Sequence, residues 1–122
     1  MRRIDISQLA FPCVTRVRGE EAFEKLQSHI GADQIEVDFT GVEMVSFSFL
    51  DGFITNLMKI GKEKNIVLIT NRQIERKLVR IAGIRNATIY HCLDGRAIQQ
   101  VKPKVYKSYD SVFVSNKATI RP

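Results

Sequence analysis

This sequence predicts a single α/β domain, one mixed β-sheet with amphipathic helices packed against it. Three observations carry that prediction. Short apolar runs such as Ile66 to Ile69 alternate with segments whose apolar residues recur at helical spacing. The chain has 122 residues, 44% hydrophobic and 26% charged, which is the size and composition of one domain that builds a core without staples. The stretch from Ile35 to Leu57 changes its apolar period from that of a strand to that of a helix within itself.

In order, Arg2 to Ile6 alternates apolar and charged residues and reads as a first strand. Pro12 breaks any helix before it, and Thr15 is a candidate N-cap for a helix running to about Ile30, with Ala22, Phe23, Leu26 and Ile30 on one face. Gly19 weakens the first turns of that helix by about 1 kcal/mol relative to Ala, and Gly31 is a suitable stop. Ile35, Val37 and Phe39 make the next strand, Thr40-Gly41 a turn, and Met44-Val45 a second short strand. From Phe49 the apolar residues follow a helix to about Lys62. Ile66 to Ile69 reads as a strand buried on both faces. Asn71 caps a helix with the stripe Ile74, Leu78, Ile81 and Ala82, stopped by Gly83. Thr88 to Tyr90 is a further strand, and Asp94 is the candidate N-cap of a short last helix ending at Val101. The expected order is strand, helix, strand, strand, helix, strand, helix, strand, helix over residues 1–101. Residues 102–122 form a basic extension, read either as a hairpin packed on the domain or as a loose tail.

The strand ending in Asp38, the following Thr40-Gly41-Val42, and the Ser-bearing junction into an amphipathic helix resemble a STAS domain. The run Ser46-Phe47-Ser48-Phe49-Leu50-Asp51 is closer to the STAS-like domains of unknown function, which carry a Ser-Phe-x-Asp signature there. Thr15-Arg16 resembles the Ser/Thr-Arg pair that opens their first helix. The resemblance covers roughly Arg16 to Val101 and implies a regulatory protein-interaction module of the anti-sigma factor antagonist type, whose partner is a histidine-kinase-type ATPase. The antagonists' Asp-Ser-Ser-Gly-Leu motif falls on Ser46 to Leu50, so their phosphorylated Ser lies on Phe47, which has no hydroxyl. Ser46 and Ser48 remain as candidate phosphorylation sites.

Residue by residue, the junction offers two readings. Ser46, Phe47, Ser48, Asp51 and Thr55 are a candidate partner-binding surface, and a phosphate near a helix N-terminus is electrostatically favoured there. Alternatively Ser46 or Ser48 only caps the helix, and Asp51 adds favourable charge to its first turn. A second candidate surface is basic. Arg72, Arg76 and Arg80 lie one helical turn apart on one face, with Lys77 and Arg85 nearby. With Lys102, Lys104, Lys107, Lys117, Arg121, Tyr106 and Tyr109 of the tail, they suit an anion or nucleic acid, in keeping with a net charge of +6.

Other classes are not indicated. Cys13 and Cys92 have no metal-ligand spacing to each other or to His29 and His91, and both are expected to be buried thiols. No phosphate loop, nucleophile elbow or dinucleotide turn occurs, so no enzyme, metal or cofactor is expected. Asp38, Asp51, Asp94, His29 and His91 are the acid/base candidates; His91 ends a strand and reads either as exposed there or as a structural histidine, the commoner role of a lone His. Apolar stretches are too short to span a bilayer, so a cytoplasmic protein is the expectation, with a protein partner, nucleic acid as the alternative, and dimerisation through an edge strand open.

Overall fold

The computed structural model of the protein describes residues 2–31, 33–93 and 96–103. Five strands form one sheet in sequential order: β1 (Arg2–Asp5), β2 (Ile35–Asp38), β3 (Ile66–Thr70), β4 (Ile89–Leu93) and β5 (Gln99–Val101). The first four are parallel, and β5 pairs antiparallel with β4. The crossovers are α1 (Arg16–Gln27), α2 (Phe47–Lys59) and α3 (Arg72–Arg85). When each parallel strand is added beside the last with crossovers of one hand, the helices all fall on one face. The core agrees. Ile4, Ile35, Val37, Ile66, Leu68 and Ile89 of the strands form one buried cluster with Leu26, Phe53 and Leu78 of the three helices. Val67, Ile69 and Cys92, with Tyr90, point the other way and form a separate cluster to which no helix contributes.

The caps predicted at Thr15 and Asn71 are present, each accepting from a backbone N–H three residues on, at 3.2 Å from Arg18 and 2.9 Å from Ile74. Asp38 closes the Thr40-Gly41 turn by accepting from the Thr40 N–H at 2.8 Å and its hydroxyl at 2.6 Å.

Four expectations are corrected. Met44-Val45 is not a strand: β2 already has neighbours on both sides, and the segment is a loop that buries Val45 and exposes Met44. Helix α3 runs through Gly83 to Arg85 and ends at Asn86 in the left-handed region (φ 54°), where asparagine, like glycine, is tolerated. Helix α1 stops at Gln27, short of Ile30. The expected last helix is instead β5, which completes the sheet edge beside β4 and buries Val101. Its expected N-cap, Asp94, lies outside the described residues.

Gly19 is also more than a weak helix residue. A Cβ there would overlap the Phe49 carbonyl oxygen and lie 3.0 Å from its carbon and 3.1 Å from the Phe53 nitrogen. Gly52 answers it from α2, where a Cβ would lie 2.8 Å from the Arg16 carbonyl oxygen and 3.0 Å from Arg16 Cγ. The two glycines let the backbones of α1 and α2 touch, which fixes the start of α1 against the start of α2.

Candidate functional site

The N-terminus of α2 is where the loops leaving β1 and β2 meet. Ser46 is its N-cap, in extended backbone, and its Oγ accepts from the Phe49 N–H at 3.0 Å. The same hydroxyl donates to the Val14 carbonyl, and the Ser46 N–H donates to the Cys13 carbonyl at 2.9 Å. Ser46 is therefore fully used in stitching the loop after β1 onto α2. Ser48, in the first turn, is exposed. Phe49 is core, while Phe47 is half-buried with the Arg80 guanidinium 4.6 Å from its ring centroid. Beside this turn the two loops present Phe11 (61% exposed), Met44 (62%) and Val14 (39%) around a shallow cleft of about 250 Å³, edged by Glu43.

Asp51 takes no part in the first turn. It is 2% exposed and faces inward, where its carboxylate joins three helices. Arg85 of α3 holds it with a fork, Nε to Oδ1 at 2.9 Å and Nη2 to Oδ2 at 2.6 Å, and Arg16 of α1 bonds Oδ2 from the other side. Thr55, half-buried one turn along α2, donates to Oδ1 at 3.4 Å. The Arg85 hydrogen bonds, outweighing the opposing effect of burial and reinforced by Arg16, lower the Asp51 carboxyl to about 2. Two guanidinium groups for one carboxylate leave a net positive charge on the cluster, and both arginines remain partly exposed.

The basic stripe of α3 is largely engaged within the chain. Arg72 pairs with Glu75 at 3.1 Å, Lys77 donates to the Val45 carbonyl at 2.7 Å, and Arg80 lies over Phe47. Arg76 is exposed on the same helix. Lys102 is exposed, and the tail's other basic and aromatic residues lie outside the described residues. Of the two readings of His91, exposed or structural, the structure shows it buried. It sits within β4, 1% exposed, with Nε2 3.7 Å from Glu75 Oε2 and Nδ1 unpartnered among the described residues. Burial pushes its pKa down against the opposing pull of Glu75. Cys13 and Cys92 are both buried, and burial raises the Cys13 thiol to about 11, far from a reactive thiolate. Among the described residues no cluster of His, Cys, Asp or Glu could hold a metal ion, and no helix is long and apolar enough to cross a membrane.

Residues 19–72 match the sequence model of the STAS-like domain of unknown function. Over that span the chain is similar to a STAS-like domain. No curated protein and no solved structure matches it. The matched span opens at Gly19, passes through β2, the Ser46 cap, α2 and β3, and closes at Arg72 at the start of α3. It therefore contains both glycines of the helix crossing and Asp51, but neither arginine that holds Asp51.

Of the residues that the sequence singled out at this junction, Ser46, Phe47 and Ser48 do lie together at the α2 N-terminus. Asp51 and Thr55 lie beneath them, facing α1 and α3 rather than solvent. The exposed apolar residues that flank the turn, Phe11, Val14 and Met44, were not singled out. Their exposure depends on where two irregular loops run, and neither loop carries a periodic signal.

Proposed function

We propose that this STAS-like domain is a non-catalytic regulatory module that binds a partner protein at the end of the sheet where the loops after β1 and β2 meet α2. The supporting observation is the group of exposed apolar side chains, Phe11, Val14 and Met44, continuing as Val17 on α1, beside the Ser46–Ser48 turn. Single exposed apolar residues are ordinary, but several on adjacent loops around a cleft are the mark of a docking surface. The rim residue Glu43 gives that surface a charged edge that would set orientation.

On this reading Ser48, not Ser46, is the hydroxyl suited to control binding by phosphorylation. Ser46 already caps α2 and holds the Val14 carbonyl, whereas Ser48 is exposed where a dianion is favoured by the helix N-terminus. The proposal extends to a partner-switching system of the anti-sigma antagonist kind with a histidine-kinase-type ATPase as the kinase.

The test is affinity isolation from the native cell, with and without nuclease, and mass spectrometry of the bait. The expected result is a nuclease-resistant protein partner that is lost with Met44→Asp in a folded bait. Recovery of nucleic acid alone, abolished by nuclease or by reversing Arg72, Arg76 and Arg80 to Glu, would overturn the proposal.

A further inference from the structure

Asp51 balances the charge of only one of the two guanidinium groups that grip it, and both arginines stand at the surface. Arg85 spends one edge of its guanidinium, Nε and Nη2, on the carboxylate, and Arg16 spends Nη2. Among the described residues neither arginine side chain has another hydrogen bond or ion pair. A guanidinium carries five N–H donors in a rigid plane, so Arg85 keeps the edge that includes Nη1, and Arg16 keeps Nε and Nη1. The Arg16 side chain is 43% exposed and that of Arg85 38%, so a ligand can approach them from solvent. Both Nη2 nitrogens touch the same carboxylate oxygen, which puts them within about 5 Å of each other.

We infer that Arg16 and Arg85 form a receptor for a phosphoryl group, with Asp51 as the positioning residue between them. Three features point to that ligand. The first is spacing: one phosphoryl group can bridge two guanidinium groups this close, taking a charge-assisted bond of about 2.8 Å from each. The second is charge. The cluster is net positive, and the repulsion that Asp51 leaves between the guanidinium groups is relieved by a second anion. The third is preorganisation. Asp51 is 2% exposed and holds both groups between three helices, so little rotamer freedom remains to be lost on binding. The phosphoryl group can come from two sources, a small phosphate ester in solution or Ser48 of this chain. Ser48 is exposed and neighbours Asp51 on α2 at a spacing of three residues. Side chains on a helix lean toward its N-terminus, so Asp51 reaches back toward Ser48 and brings both guanidinium groups with it. Only this second source rests on the regulatory reading above.

The test is an NMR titration of the full chain with inorganic phosphate at constant ionic strength, with chloride as the control, read at the arginine Nε–H signals. Arg16 and Arg85 should shift saturably, and Arg76, exposed on α3, should not. Arg16→Gln removes one arm but leaves Asp51 its Arg85 fork, so the fold persists while phosphate affinity falls at least tenfold. Asp51→Asn removes the competing charge, and phosphate should raise its urea midpoint more than that of the parent, because a ligand stabilises the state it binds. The inference is overturned if the two arginines show no saturable shift, if Arg76 responds equally, if Arg16→Gln binds phosphate as the parent does, or if Asp51→Asn gains no more than the parent. The chain phosphorylated at Ser48 assigns the source. Shifted arginine signals without added phosphate, and no further response to it, assign Ser48; binding of added phosphate at the parent's affinity assigns a ligand from solution. No partner protein is present in these titrations, so their failure leaves partner binding at the α2 N-terminus standing.

Discussion

Replacing Gly19 by Ala should destabilise the protein, although helix propensity alone says the reverse. In an exposed helix interior the change gains about 1 kcal/mol. Here the new methyl would overlap the Phe49 carbonyl oxygen and crowd the Phe53 nitrogen, both backbone atoms that no rotamer change can move aside. Relief requires α1 and α2 to separate, which loosens the packing of Ala22, Phe23 and Leu26 against Phe49 and Phe53. Overpacking of this kind costs about 1–3 kcal/mol, and a rigid backbone partner places it at or beyond the upper end, so the net loss is about 2 kcal/mol. For a chain of this size that lowers the melting temperature by roughly 6–10 °C. Gly83→Ala is the control: it lies within α3 with nothing inside 4 Å of its added Cβ, and should gain about 0.5–1 kcal/mol. Urea denaturation of the three proteins measures both effects. A Gly19→Ala variant as stable as the parent, or stabilised like Gly83→Ala, would refute the close backbone contact.

Asp51→Asn should cost about 2–3 kcal/mol at neutral pH by leaving Arg16 and Arg85 without their carboxylate. Because the folded carboxyl titrates near 2, below its ordinary 3.8, the unfolded chain takes up that proton first. About 2 kcal/mol of stability is therefore complete above pH 5 and lost as pH falls toward 2, and acid titration of unfolding should show this component flattened in the variant. His91, its pKa lowered by burial, works at higher pH: the unfolded state protonates first as pH drops below about 6.5, so urea midpoints should fall between pH 7.5 and 5.5, and less so in His91→Gln. Ser46→Ala should lose about 1 kcal/mol with the cap, while Ser48→Ala should stay within about 0.5 kcal/mol of the parent by thermal melting.

What the sequence made legible was whatever local chemistry decides. The Thr15 and Asn71 caps, the Asp38 turn and the fully buried β3 each follow from residues within one turn or one strand. Readings failed where a distant partner decides. Gly19 and Gly52 look like weak helix residues until the two helices are placed together. Asp51 looks like a favourable charge near a helix start until Arg16 and Arg85, 35 and 34 residues away, reach it. The segment ending at Val101 is too short for periodicity to tell strand from helix, and the free edge of β4 decides it. The preceding Asp94-Gly95, a common hairpin dipeptide, was the signal that could have found β5.

The docking surface is tested most directly by photo-crosslinking in the native cell, with the reactive side chain placed at position 44 in one protein and at position 76 in another. Both positions are exposed, one beside the α2 N-terminus and the other on the basic face of α3. Binding through the β1 and β2 loops predicts a discrete protein adduct from position 44 and none from position 76. A nucleic-acid adduct from position 76, with nothing captured at position 44, would contradict it.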